Sequence, residues 1–210
     1  IFQDRIPSVA AFQLPFLFTD YDQARAALYE GDYGYQLIGD VASLGFTVNG
    51  IVPDGFRVMT MNKKVESLAD MHGLKMRMPN LEIMVEIGNY LGFAVTPMSM
   101  TEVFSALEQG VIDGQENPPS TIRSQGWYEI QDYLLVSNHV FTSLFLCVNN
   151  DFYNSLDSEL QNILDEVIDE TCAQIWDTAQ TQAQEDLDYM SSEGGIEVYE
   201  PSDSFRQEMV

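Results

Sequence analysis

The sequence predicts an α/β fold built on a largely parallel sheet. Short runs of β-branched and aromatic residues alternate with helical stretches about ten residues long. Glycine or proline marks most of the changeovers. Apolar residues make up 45% of the 210-residue chain and aromatics 11%, enough for an ample core. One helical stretch, running from Ser155 to about Tyr189, is longer than a small sheet needs and is expected to span two lobes.

Asp20 is placed to cap a helix reaching Tyr29, broken by Gly31, and a second helix is expected over Tyr33–Ser43. Phe46–Val52 and Phe56–Met61 read as strands. Ser67–Met71 is a short helical turn, and Leu74–Met78 is a strand stopped by Pro79. Asn80 is the expected cap of a helix over Leu81–Leu91, closed by Gly92. A strand follows over Phe93–Met98, then a helix over Glu102–Gln109 capped by Thr101 and stopped by Gly110. Val111–Ile112, Tyr133–Val136, Val140–Val148 and Ile196–Tyr199 read as further strands. In the long helix, Leu156, Leu160, Ile163, Leu164, Val167 and Ile168 keep the 3.6-residue period.

Nine basic residues stand against 33 acidic ones, a formal charge of −24. Such a chain has no basic stripe with which to neutralise phosphates, so nucleic acid and anionic membrane surfaces are poor partners. The acids read as a solvated face or as adaptation to a salty medium. No apolar run is long enough to cross a bilayer. No basic, apolar leader opens the sequence, as expected of a mature secreted chain or a trimmed one. Cys147 and Cys172 lack metal-site spacing and read as two buried thiols, with a disulfide as the alternative in an oxidising compartment.

In so acidic a chain, an arginine inside a short apolar strand is the most informative residue. Alternation along Leu74–Met78 puts Lys75 and Arg77 on one face and Leu74, Met76 and Met78 on the other. Arg77 then either faces solvent from a half-buried edge strand or meets an incoming carboxylate with its fork of donors. Arg57, in Gly55-Phe56-Arg57-Val58, is either a surface ion pair or a second address for the same ligand. Asn117 precedes Pro118 and is held extended on a stiff loop, with a donor and an acceptor to offer. His72 and His139 sit in no triad pattern, and the sequence contains no phosphate loop or metal motif.

Several segments together resemble the solute-binding proteins of TRAP (tripartite ATP-independent periplasmic) transporters. They are Gly73-Leu74-Lys75-Met76-Arg77-Met78-Pro79, Thr96-Pro97-Met98, Glu102-Val103-Phe104-Ser105-Ala106-Leu107 and Val111 through Pro118. Leu14-Pro15-Phe16-Leu17-Phe18, Tyr128-Glu129-Ile130 and Ser137-Asn138-His139 fit the same pattern in the same order. The resemblance implies a two-lobed, periplasmic-binding-protein-like α/β fold with a ligand cleft between the lobes. It implies one lobe from residues 1–53 and 143–182 and a second from 54–142 and 183–210. It also implies a further α/β portion before Ile1 and more helix after Val210.

In function, the resemblance implies an extracytoplasmic protein, not an enzyme. Such a protein captures a small organic carboxylate and delivers it to TRAP membrane subunits, without cofactor or metal. The implied ligand set is Arg77 as the main ionic contact, Asn117, Arg57, Asn80, Met100 and Glu116. Met100 departs from the aromatic that often packs on the ligand there. A ligand-sensing extracellular module, and an enzyme using Glu116 or His139 as base, stand as the alternatives.

Overall fold

The computed structural model describes residue 2 and residues 5–210. Ile1, Gln3 and Asp4, which the sequence reading assigns to the first lobe, lie outside the described residues. Helices α1 (Pro7–Ala11), α2 (Tyr21–Leu28) and α3 (Asp32–Ala42) lead into strands β1 (Phe46–Phe56) and β2 (Val58–Met61). Then come α4 (Leu68–Met71), β3 (Lys75–Met78), α5 (Glu82–Tyr90) and β4 (Ala94–Pro97). A helical turn over Met100–Glu102 and α6 (Val103–Glu108) precede β5 (Gly114–Asn117) and α7 (Pro119–Ser124). A second such turn, Trp127–Ile130, precedes β6 (Tyr133–Leu135) and β7 (Phe141–Asn149). The chain continues through α8 (Asn150–Ser155), α9 (Ser158–Ser192), β8 (Glu197–Tyr199) and α10 (Asp203–Met209).

Several element ends differ from the sequence reading, each for a local reason. β1 runs on through Pro53 to Phe56. It belongs to a two-stranded sheet with β7, where a strand always has a free edge to accept a proline. Val111 and Ile112 are not a strand: both backbone amides bond to the Ala106 carbonyl and close the end of α6. Asn80 does not cap α5, whose N-cap is Leu81 with no side-chain bond. The cap before α6 is Ser99, not Thr101, in a reciprocal capping box with Glu102. Ser155 ends α8 by bonding back to the Phe152 carbonyl, while Asp157 accepts from the Leu160 amide at the start of α9. By contrast, Asp20 caps α2 as expected, accepting from the Gln23 amide at 2.7 Å.

The chain divides into two compact units, Ile1–Gly55 with Phe141–Thr181 and Phe56–Val140 with Gln182–Val210. The division therefore falls inside α9. In the first unit, Leu28, Leu37, Val41 and Ile51 are buried. Trp176 of α9 stacks on Phe141 and Tyr29 and donates its indole N–H to the Ile51 carbonyl at 2.9 Å. The periodic apolar face early in α9 is less covered than its pattern suggests. Leu160, Ile163 and Val167 remain 49%, 50% and 53% exposed among the described residues. Both cysteines are free: Cys172 is buried, but Cys147 only half so.

The second unit holds a six-stranded sheet in the order β4-β3-β5-β2-β6-β8. β3 is parallel to β4 and β5, and β6 to β8, while β2 runs antiparallel to both β5 and β6. Five strands thus point one way and β2 the other. A methionine-rich layer (Met59, Met61, Met76, Met78 and Met84) is buried in this unit. A second cluster gathers Val58, Val103, Leu107, Ile122, Trp127, Leu134 and Met190. Each such fully buried side chain contributes about 1.5–3 kcal/mol of transfer free energy.

Candidate functional site

The parallel strands bring their C-terminal ends to one end of the six-stranded sheet. β3 ends at Met78, β4 at Pro97, β5 at Asn117 and β6 at Leu135. Because β2 is reversed, its start lies at this same end, with Val58 paired to Asn117. Arg57, just before β2, is therefore delivered beside the loops that follow the other strands. In open α/β sheets this end is where ligands bind.

Arg77 is on a central strand, flanked by β4 and β5, and not on a solvent-facing edge. Its residue is 4% exposed, and Nε and Nη2 both donate to the Met98 carbonyl, at 3.1 and 2.8 Å. Among the described residues it forms no ion pair with a carboxylate. Burial is the main cause that lowers its affinity for the proton; the pull of Glu116 opposes it, and the like charge of Arg57 adds a smaller push. The guanidinium nonetheless stays charged. A buried cation whose nearest partner is a neutral carbonyl is poised for an anion.

Arg57 is engaged by Glu116, and the pair is buried rather than superficial. Nε donates to Oε2, while Nη2 donates to Oε1 and to the Glu116 carbonyl, both at 2.8 Å. The Glu116 side chain is fully buried. Burial alone would raise its carboxyl, but Arg57 and His139 outweigh it and hold the group below the usual range. His139 Nε2 lies 3.3 Å from Glu116 Oε2, and its Nδ1 is 2.8 Å from Ser137 Oγ. Nε2 is buried and, among the described residues, makes no well-aligned hydrogen bond. Between Ser137 and His139, Asn138 takes a left-handed backbone with φ of 47°, a conformation asparagine tolerates. Two guanidiniums against one carboxylate leave a local excess of positive charge inside a strongly negative chain.

Asn117 is the last residue of β5, not a loop residue. It is 7% exposed and donates through Nδ2 to Gln115 Oε1 at 2.8 Å. Asn80 is exposed two residues beyond β3, and Met100 is 42% exposed in the turn after β4. The structure therefore brings Arg57, Arg77, Glu116 and Asn117 to one buried end, with Asn80 and Met100 on exposed segments next to it. The sequence reading did not single out the Met98 carbonyl, Gln115 with its partner Thr60, or the pairing of Ser137 and His139 with Glu116. One signal was present. Gly114-Gln115-Glu116-Asn117 has no apolar residue and suits a turn, yet Ile112 before it and Ile122 after it are buried.

The family "Bacterial extracellular solute-binding protein, family 7" (DctP) matches residues 1–210. The chain belongs to this family. Its members are the solute-binding proteins of TRAP transporters. One relative is the sialic acid-binding periplasmic protein SiaP of Vibrio cholerae, 30% identical over 206 residues, or 97% of this chain and 64% of that one. A Haemophilus influenzae TRAP periplasmic solute-binding protein, solved with L-gulonate, is 32% identical with a TM-score of 0.87. That alignment covers 99% of this chain and 68% of the other. A Shewanella oneidensis counterpart, solved with succinate, is 27% identical with a TM-score of 0.91, covering 99% and 68%. The chain thus spans about two thirds of the length of these two solved relatives and 64% of that of SiaP. Among the described residues no helix is long and apolar enough to cross a membrane.

Proposed function

We propose that this chain is the carboxylate-anchoring portion of an extracytoplasmic solute-binding protein, which captures a small organic acid and passes it to TRAP membrane subunits. The observation that carries the reading is Arg77: a buried guanidinium on a central strand, held by one neutral carbonyl at the ligand-binding end of the sheet. A carboxylate arriving there supplies the missing counter-charge. Asn117 adds a hydrogen bond from the neighbouring strand, and Asn80 and Met100 form the more exposed rim. Arg57 contributes its positive field and is held in place by Glu116. Glu116 itself serves as the counter-ion of Arg57, because a buried carboxylate would repel the acid if it faced it. We read the two compact units as the two lobes of the binding protein, with the anchor in the second. The reading requires binding without turnover. It is supported by family membership and by the acids named in the solved relatives.

The test is calorimetric titration of the purified chain with L-gulonate, succinate and their amides. Breaking a buried, hydrogen-bonded charge pair costs about 3–5 kcal/mol. Arg77→Ala is therefore expected to weaken acid binding by more than a hundredfold, given about 1.4 kcal/mol per tenfold. Arg77→Lys is expected to weaken it as well, because the planar fork is lost. An acid affinity unchanged by Arg77→Ala refutes the anchor.

A further inference from the structure

Gln115 is fully buried in the middle of a sheet, with Thr60 and Arg77 directly beside it and apolar side chains beyond them on the same face. Thr60 and Gln115 are register partners across β2 and β5, and Arg77 and Gln115 are register partners across β3 and β5. Partners in register share a face of the sheet. Val58, two residues before Thr60, and Leu134, its partner on β6, also lie on this face and are buried in the apolar cluster. Packing alone would be served there by another apolar residue. Burying a primary amide costs free energy unless its hydrogen bonds are made. They are made in a directed chain: Gln115 Nε2 donates to Thr60 Oγ1 at 2.9 Å, and Gln115 Oε1 accepts from Asn117 Nδ2 at 2.8 Å. Thr60 and Gln115 are both 0% exposed, so water does not compete for these bonds.

We infer that Thr60 and Gln115 are positioning residues that set which end of the Asn117 amide is presented to a bound acid. This rests on the reading of Arg77 and Asn117 as the acid-binding pair. With the Gln115 nitrogen on Thr60, the Gln115 oxygen is turned toward Asn117. That oxygen takes one of the two Asn117 N–H groups. The second N–H and the carbonyl oxygen of Asn117 are then fixed in direction at the end of β5, instead of exchanging places by rotation about the terminal bond. An amide free to rotate would spend part of its time with its oxygen toward the anion, which weakens binding.

The test uses Thr60→Val, which keeps the shape and removes the hydroxyl, and Thr60→Ser, which restores it. The first readout needs no acid: the side-chain amide signals of Asn117 in a ¹⁵N–¹H spectrum of the full chain. Thr60→Val is expected to move them toward the values of a rotating, solvated asparagine, and Thr60→Ser to leave them in place. The second readout is affinity for L-gulonate and succinate. Thr60→Val is expected to weaken it about three- to tenfold, the range set by one hydrogen bond between neutral groups. Thr60→Ser is expected to bind like the parent. In an Asn117→Ala background, Thr60→Val is expected to have no further effect. Unchanged amide signals in Thr60→Val overturn the inference, and so does an equal loss of affinity with and without Asn117. If Arg77→Ala leaves acid affinity unaltered, the functional reading fails on its own account, while the amide signals still decide whether Thr60 and Gln115 orient Asn117.

Discussion

Glu116→Gln is the most demanding perturbation of this site. It keeps the size of the side chain and removes its charge. In the parent, the carboxylate meets Arg57 at both of its oxygens, with side-chain exposures of 0% for the acid and 8% for the arginine. At that burial, screening by solvent is small. Loss of the charge leaves the Arg57 guanidinium buried against a neutral amide that can accept at one atom and not two. Breaking a buried pair from one side costs about 3–5 kcal/mol. For a chain of this size each kcal/mol lowers the melting temperature by about 2–4 °C, so a fall of about 6–20 °C is expected. Chemical unfolding followed by circular dichroism should give the same loss. The pH dependence adds a sign. The Glu116 carboxyl is depressed below its ordinary value of 4.5 in the folded chain. Its contribution is therefore complete above that value and disappears as pH falls through the depressed one. The difference between parent and Glu116→Gln should be largest near neutrality and shrink in acid. A double variant, Arg57→Met with Glu116→Leu, should recover much of the loss, because the unpaired charge is gone. A melting temperature unmoved by Glu116→Gln at pH 7, or a gap that widens in acid, would refute the assignment of this pair as the buried counter-ion system.

Other outcomes follow from single contacts. Gly114 opens β5 where an added Cβ would press on the Thr60 carbonyl and lie 2.8 Å from Met61 Cγ, so Gly114→Ala should destabilise the chain by about 1–3 kcal/mol in urea unfolding. Trp176→Phe keeps the stacking on Phe141 but leaves the Ile51 carbonyl without its indole donor. A loss of about 1–3 kcal/mol is expected, with no direct effect on acid affinity by calorimetry. Asn138→Gly should preserve the melting temperature, while Asn138→Val should lower it, because a β-branched residue resists the left-handed backbone there.

The sequence by itself determined the alternation of helices and strands and the α/β class, and it singled out Arg77 and Asn117. These are local properties. A cap such as Asp20, a stop such as Gly92 and a strand such as Leu74–Met78 are written in a few adjacent residues. Arg77 stood out because a cation inside an apolar run is costly wherever it lands. What the tertiary structure decided was non-local. The pattern around Arg77 was equally compatible with an edge strand facing water, and only the insertion of β3 between β4 and β5 made the arginine buried. Arg57 read as either a surface ion pair or a second address for the ligand, and the reversal of β2 carries it to a buried pairing with Glu116, 59 residues away. Asn117, before Pro118, read as a residue held extended on a stiff loop. Gly114-Gln115-Glu116-Asn117 is instead a central strand, since partners on β2 and β3 satisfy its backbone while Thr60 and Arg57 bond its side chains. The period of α9 marked an apolar face correctly, yet Leu160, Ile163 and Val167 are about half exposed, because periodicity gives a direction and not a neighbour. Propensity is set by each residue and those next to it, whereas burial and pairing are set by whatever distant segment the fold places alongside.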